Sequence, residues 1–110
     1  MNEELNRSID AFVNLVQACS EYQEYEKQKK IIEDYPELKE EINEFRVRNF
    51  AIQTMENAEE IYDAVDSFEK DFAHFWEDPR VADFLNAEMA YCKLIQEIDD
   101  KMKRTISVNF

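Results

Sequence analysis

Few side chains of this chain are suited to chemistry, because it has one histidine and two cysteines beside 26 carboxylates. A carboxylate-bridged pair of metal ions in a helical bundle needs two Glu-x-x-His pairs and two further glutamates. His74 is the single histidine, so one chain cannot complete such a site. Because His74 falls between Phe72 and Phe75 around a helix, we predict a structural residue at the edge of the core.

The two cysteines are the remaining candidates for nucleophilic or redox chemistry. A catalytic cysteine needs a neighbouring base and a lowered thiol pKa. Cys19 and Cys92 both fall on apolar stripes of predicted helices, which predicts buried, inert thiols. Thiolates from two chains could together hold an iron–sulfur cluster, but no Cys-x-x-Cys pair supports one. With no glycine for a phosphate-binding loop either, we predict no catalytic residue, no metal ligand and no cofactor.

The chain is strongly acidic, with a formal charge of −13 and an isoelectric point of about 4.4. Binding to a nucleic-acid backbone depends on cations that release counterions, so direct nucleic-acid binding is not expected. Basic protein partners fit this charge better. No apolar run is long enough to span a bilayer, and residues 1–5 lack the character of a signal peptide. Together with only two cysteines, these features predict a cytoplasmic protein.

The composition also restricts the fold class. The chain contains no glycine and 2 prolines, whereas hairpin turns rely on glycine or asparagine at positive φ. Frequent Glu, Lys, Ala and Leu favour helix instead. We therefore predict an all-α fold in which residues 1–110 form a single domain.

Apolar residues at three- and four-residue steps define the first three helices. The first runs from about Asn2 to Cys19. Ser20 and Gln23 fit a capping box, which predicts a break and then a second helix to about residue 33. Asp34 is predicted to cap a third helix that has Pro36 in its first turn. The stripes of the first and third helices are Leu5, Ile9, Phe12 and Val16, and Leu38, Ile42, Phe45, Ile52 and Met55.

Two arginines on the third helix, Arg46 and Arg48, are unusual in so acidic a chain. They either form ion pairs with glutamates one helical turn away or contact a partner. Val47 and Phe50 form a second apolar flank on this helix, which indicates a further contact, with a neighbouring helix or another chain.

A loop near Asn57 is predicted to precede a fourth helix. Its outer face is acidic, with Lys70 as the single base between residues 56 and 78. The inner stripe of the fourth helix is Ile61, Val65, Phe68, Phe72 and Phe75.

The fifth helix begins at Asp78, which can accept hydrogen bonds from the first turn, and Pro79, which is favoured at the first helical position. It is predicted to continue for roughly 28 residues, or about 42 Å, to Ile106, and residues 107–110 are expected to fray. A compact domain of this length has a radius of gyration of about 13 Å. We therefore predict an elongated bundle of four to five helices, with a second copy completing a homodimer. The apolar face of the fifth helix comprises Val81, Phe84, Leu85, Tyr91, Cys92, Ile95, Ile98, Met102 and Ile106.

Glu88 interrupts this apolar face. A buried carboxylate must find a partner or become neutral. Glu88 is therefore either bonded to an arginine, a tyrosine hydroxyl or a neighbouring helix, which would fix the packing register, or it makes a functional contact.

Three motifs, taken in order, resemble the YlbF/YmcA family of small helical proteins from Gram-positive bacteria. They are Ser-Glu-Tyr-Gln-Glu-Tyr at 20–25, Asp-Tyr-Pro-Glu-Leu-Lys-Glu-Glu-Ile-Asn-Glu-Phe at 34–45 and Asp-Pro-Arg-Val-Ala-Asp-Phe-Leu-Asn-Ala-Glu at 78–88. The resemblance covers nearly the whole chain. It implies a non-enzymatic, cytoplasmic regulatory protein that forms dimers or higher oligomers.

The resemblance also implies protein partners, namely a membrane-anchored endoribonuclease of messenger RNA maturation and paralogous family members. Family members influence competence, biofilm formation and sporulation. The alternative, a metal- or iron–sulfur-binding helical protein of redox or enzymatic type, stays open at this point. Together with Arg46 and Arg48, the candidates for partner contact are Asp78, Pro79, Val81, Phe84, Leu85, Ala87 and Glu88.

Overall fold

A computed structural model describes residues 1–106, and all regular structure in this range is helical. The helices are α1 (Glu3–Ala18), α2 (Ser20–Glu33), α3 (Pro36–Gln53), α4 (Ala58–Asp71) and α5 (Pro79–Ile106), with a 3-10 turn at Phe75–Glu77. The predicted all-α class and the long C-terminal helix of 28 residues are confirmed. The expected fraying of residues 107–110 lies outside the described residues.

The chain divides into two compact units. We call residues 29–84 the central unit, and Met1–Gln28 with residues 85–106 the terminal unit. The helices α2 and α5 each contribute residues to both units. The prediction of a single domain stays a prediction, and each unit is described by itself below.

The core of the central unit is an aromatic cluster around Phe45. Its ring centroid lies 5.0 Å from that of Phe75, 5.1 Å from that of Phe68 and 5.5 Å from that of Phe72. Phe75 is 1% exposed. Such offset and edge-to-face contacts between rings add about 0.5–1.5 kcal/mol per pair to the stabilisation that burial itself provides. Aliphatic side chains of the unit are buried as well, namely Ile32, Leu38, Ile42 and Val81.

The fourth helix is shorter than predicted, because α4 ends at Asp71 rather than at Phe75. The Phe75 N–H donates to the Phe72 carbonyl at 3.1 Å, and the chain then forms the 3-10 turn. In a tighter helix, residues three apart lie on one face. Phe72 and Phe75 are both buried, and their ring centroids lie 5.4 Å apart.

Two predicted helix starts differ in their hydrogen bonds. The Ser20 hydroxyl donates to Glu21 Oε1 at 2.8 Å instead of closing a capping box, although the predicted break before it is confirmed by the extended backbone of Cys19. Tyr35, not Asp34, is the residue before α3, and its side chain makes no capping bond. Pro36 in the first position of α3 already lacks one of the N–H groups that a cap would serve.

The starts of α1 and α4 are both capped by asparagine. Asn57 Oδ1 accepts from the N–H groups of Glu59 and Glu60 at 2.9 and 3.2 Å, which confirms the boundary predicted near this residue. Asn2 Oδ1 accepts from the Leu5 N–H at 2.7 Å. The two caps therefore serve the same function in different units, which makes them a matched pair.

Candidate partner-binding surfaces

The turn before α5 is held by a cap and an ion pair. Asp78 Oδ1 accepts from the Arg80 backbone N–H at 2.9 Å, as the sequence predicts for this residue. The Arg80 guanidinium donates to both carboxylate oxygens of Asp78, at 3.0 and 2.7 Å. These side-chain bonds lower the pKa of Asp78 and raise the pKa of Arg80. The turn therefore presents a neutralised pair rather than a free charge.

Arg80 also links this turn to the start of α3. Its guanidinium carbon lies 4.3 Å from the centroid of the Tyr35 ring, a cation–π distance. Beside this contact is an open cleft of about 480 Å³, which we call the turn cleft. Its charged lining is mostly acidic, namely Asp34, Glu37, Glu41 and Asp78, with Arg80.

The apolar residues of the predicted contact motif lie in the core. Val81 is 0% exposed and Phe84 is 6% exposed, and Ala87 is buried too. Leu85 and Glu88 are half-buried, and Pro79 is exposed. Glu88 interacts with another group of the protein. The assignment of these residues to partner contact stays a prediction, and the burial of Val81 and Phe84 gives them a packing role as well.

The two arginines of α3 lie against aromatic rings. Arg48 Nη1 donates to Asp71 Oδ2 of α4 at 2.8 Å, and its guanidinium lies 5.2 Å from the Phe72 ring. Arg48 therefore joins α3 to α4. The ion pair with a glutamate of α3, which the sequence pattern suggested as one possibility, is replaced by this bond to Asp71. Arg46 lies 5.5 Å from the Phe84 ring and is not without a partner. Their proposed contact with another protein stays a prediction.

The outward face of α4 is acidic and contains an exposed aromatic ring. Tyr62 is 74% exposed, and the carboxylates of Glu59, Asp63 and Glu69 are exposed on the same helix. The Lys70 ammonium pairs with the Asp66 carboxylate at 2.9 Å, and this pairing raises the pKa of Lys70. Lys70 therefore neutralises Asp66 and not Glu59, Asp63 or Glu69. We call this surface the α4 acidic face. The sequence pattern indicated the charge of this face but not the exposure of Tyr62.

The terminal unit has an apolar surface. None of the residues of α1 is buried, although Leu5, Ile9 and Phe12 recur on one side of it. An open depression of about 220 Å³ lies between α1, α2 and α5. The Tyr91 ring lies 5.6 and 5.3 Å from the rings of Tyr22 and Tyr25. We call this surface the α1–α5 face; its apolar residues include Leu5, Ile9, Phe12, Val13, Val16, Tyr91, Ile95, Ile98, Met102 and Ile106.

Three predicted environments of reactive residues are wrong. Cys92 is exposed and Cys19 is half-buried, because the stripes that contain them border the α1–α5 face and not a closed core. His74 is exposed, because α4 ends before it, and its Nε2 lies 3.0 Å from Glu41 Oε1. Within residues 1–106, no three His, Cys, Asp or Glu side chains are grouped so that they could hold a metal ion. None of the helices in that range has the length and apolar character needed to cross a bilayer.

A family model described as control of competence regulator ComK, YlbF/YmcA, matches residues 5–107. The chain belongs to the YlbF/YmcA family. The resemblance seen in the sequence is thereby confirmed, and membership in this family implies a regulatory role in competence. No curated protein and no solved structure was found to match.

Two features of these surfaces were missed by sequence reasoning. Tyr35 was treated as part of a helix-start signal, yet it stacks with Arg80. For Arg48 the sequence suggested a glutamate one helical turn away or a partner protein, yet its guanidinium binds Asp71 of α4. Each contact joins residues more than twenty positions apart, so neither propensity nor helical spacing contains a signal for it.

Proposed function

We propose that this member of the YlbF/YmcA family is a non-enzymatic, cytoplasmic adaptor that regulates by binding other proteins. Its partner is an endoribonuclease of messenger RNA maturation, and paralogous family members join the assembly. Through this partner the chain influences competence, biofilm formation and sporulation. The observation on which the proposal rests is the match of the family over residues 5–107.

The charge of the central unit supports a basic protein as the partner. Residues 29–84 contain 16 acidic and 7 basic residues, a net charge of −9. Complementary charge speeds the encounter of two proteins and selects against wrong partners. Tyr62 adds to the α4 acidic face an exposed ring of a type enriched in protein interfaces.

The same charge argues against direct binding of the messenger. An RNA backbone is bound through lysine and arginine, and the arginines Arg48 and Arg80 are already paired with Asp71 and Asp78. In the proposed function, contact with RNA is therefore left to the endoribonuclease.

Affinity capture from the cytosol of the native host, followed by mass spectrometry, tests this proposal. The full chain is compared with the variant Glu59→Lys/Asp63→Lys on the α4 acidic face. A matched control, Glu4→Lys/Asp10→Lys, changes the net charge equally on α1, again with one residue in the first turn of its helix. We expect an endoribonuclease with the wild type and the control, and at least about tenfold less of it with the α4 variant, since charge complementarity is reversed there.

Two results would count against the proposal in different ways. Recovery of no endoribonuclease with the wild type at low salt would contradict the partner itself. Equal recovery with both variants would leave the partner in place but remove the α4 acidic face from the contact. A gel-shift measurement showing tight RNA binding by the purified chain would contradict the assignment of RNA contact to the partner.

A further inference from the structure

An open groove of about 240 Å³ lies between α3 and α4, within the central unit. We call it the α3–α4 groove; the residues that line it are Arg48, Ala51, Ile52 and Met55 of α3, with Ala64 and Ser67 of α4. Apart from Arg48 and Ser67, the lining residues are apolar. A closed cavity of about 150 Å³ already holds a benzene ring, so the groove has room for a large apolar side chain.

Exposed apolar side chains of α3 continue this groove. Val47 is 68% exposed and Phe50 is 67% exposed. Val47 lies one turn before Ala51 and three residues before Phe50, so the exposed flank and the groove are continuous along α3. The sequence suggested that this flank contacts a neighbouring helix or another chain. The exposure of both side chains excludes a covering helix within residues 1–106.

The rim of the α3–α4 groove is acidic. On α3, Glu44 lies one turn before Arg48, and on α4, Glu60 lies one turn before Ala64. Residues one turn apart share a side of a helix, so these two exposed carboxylates border the groove. The charge of Arg48 is already paired with Asp71 at 2.8 Å. A ligand that matches this rim therefore carries positive charge beside its apolar side chains.

The surroundings of the groove favour a helix as its occupant. All regular structure in residues 1–106 is helical, so this range has no strand edge to which an extended peptide could add. A groove between two helices instead accepts a third, whose apolar side chains recur at three- and four-residue steps. A helix with such a stripe, flanked by lysine or arginine, matches both the apolar lining and the acidic rim.

The charge of the central unit separates this occupant from two others. Its net charge of −9 would repel the same groove of a second copy. A nucleic-acid backbone is disfavoured for the same reason. A basic helix, in contrast, is attracted by this charge before it makes any apolar contact.

We infer that the α3–α4 groove binds a basic amphipathic helix of another protein. A large apolar side chain of that helix enters the groove, and Val47 and Phe50 cover the rest of its apolar stripe. Lysine or arginine beside the stripe pairs with Glu44 and Glu60. The inference rests on the proposed adaptor function and adds to it the ligand class of a second surface, but its test needs no endoribonuclease.

Fluorescence anisotropy of a labelled synthetic peptide with the purified full chain provides the test. The probe has about 18 residues, or about five helical turns, of leucine and lysine, with leucine at three- and four-residue steps. A reference peptide has the same composition, but its leucines are spread around the helix. We expect the wild type to bind the amphipathic probe at least about tenfold more tightly, because only its leucines share one face.

The variant Val47→Lys/Ala51→Lys locates the binding site. It should weaken binding of the amphipathic probe at least about tenfold, because two charges enter the apolar contact. The control Met89→Lys/Ala90→Lys changes the net charge equally at an exposed methionine and an exposed alanine of α5, and should bind as the wild type does. Circular dichroism shows whether each variant is still helical. If the groove variant unfolds, Val47→Ala/Phe50→Ala removes the apolar contact with good helix formers and should still weaken binding about threefold or more.

The acidic rim is tested separately with substitutions that remove charge but preserve size. Glu44→Gln/Glu60→Gln should weaken binding of the probe and reduce its dependence on salt, since two charge pairs are lost. The control Glu4→Gln/Asp10→Asn removes the same charge from α1 and should have a smaller effect.

Several results would overturn the inference. Equal binding of the two peptides by the wild type would show that no apolar face is recognised. Unchanged binding by both Val47 variants, or loss in the α5 control alone, would place the probe elsewhere. Self-association of the wild type that is lost in Val47→Lys/Ala51→Lys, seen by sedimentation equilibrium, would assign the groove to a second copy.

The failure of this inference is distinguishable from that of the proposed function. Recovery of an endoribonuclease from the cytosol by a chain that does not bind the probe would contradict the groove and leave the proposed partner in place. Binding of the probe by a chain that recovers no endoribonuclease would support the groove and contradict that partner.

Discussion

The central and terminal units differ in how many of their apolar side chains are buried. Seven of the eight buried apolar residues found in residues 1–106 lie in the central unit, and Ala87 is the one in the terminal unit. The central unit also carries more than twice the net negative charge. The central unit therefore has an aromatic core and the larger net charge, whereas ten of the fifteen exposed large apolar side chains found in residues 1–106 lie in the terminal unit.

This difference in burial affects how strongly the hydrophobic effect stabilises each unit. Apolar surface removed from water contributes about 25 cal/mol per Å², and the fully buried Phe75 and Val81 are both in the central unit. In the terminal unit the same kind of surface is still exposed, so its share of the stabilisation depends on what covers it. The buried apolar side chains are thus concentrated in the central unit, whereas α1 of the terminal unit has none.

Truncation of a core residue gives the largest expected contrast between the units. Phe75→Ala should lower the free energy of unfolding by about 3–5 kcal/mol, since it removes a side chain from the centre of the aromatic cluster. Ile9→Ala in the terminal unit should cost less than about 1 kcal/mol in dilute protein, because no closed cavity forms. Urea unfolding followed by circular dichroism measures both. Equal losses would show that the two units are packed alike and would end the comparison.

The matched asparagine caps give a smaller contrast. Asn57→Ala should lower the free energy of unfolding by about 1 kcal/mol, because two N–H groups of α4 lose their acceptor. Asn2→Ala removes one such bond from α1. We expect its main effect to be faster hydrogen exchange of the α1 amides. If both variants destabilise the whole chain equally, α1 unfolds together with the central unit.

The smallest expected contrast concerns pH. The pKa of Asp78 is lowered by its bonds with Arg80, so this carboxylate stabilises the fold above its unfolded pKa of about 3.9. That stabilisation is lost as the pH falls through the lower, folded pKa. Asp78→Asn should therefore flatten the dependence of the melting temperature on pH in acid.

Glu21 of the terminal unit is the matched control. Its pKa is also lowered, by the Ser20 hydroxyl, but no cation is involved. Glu21→Gln should flatten the acid limb less than Asp78→Asn does, because a bond with a charged donor is stronger. An unchanged acid limb in Asp78→Asn would show that the Asp78–Arg80 pair does not contribute to stability.

Much of the fold was predictable from local signals. Asn57 and the Asp78–Pro79 pair mark the starts of α4 and α5 through backbone hydrogen bonds that involve neighbouring residues. The end of α4 was not predictable in this way, because Phe75 continues the helical spacing of α4 and yet lies in a 3-10 turn, where its ring contacts that of Phe45, a residue distant in the chain. The candidate surfaces were predicted in kind but not in detail. The sequence indicated an acidic fourth helix, for example, but not the exposure of Cys92 or the pairing of Arg48 with Asp71.

The sequence by itself determined the helical class, the five segments, the length of α5 and the family, because each follows from composition, spacing and motifs read along the chain. The tertiary structure alone decided which apolar stripes are enclosed. The stripes of α1 and α3 have similar spacing, yet α1 has no buried residue whereas Leu38 and Ile42 of α3 are buried. The physical reason is that periodicity places side chains on one side of a helix, but burial depends on whether residues distant in the chain cover that side.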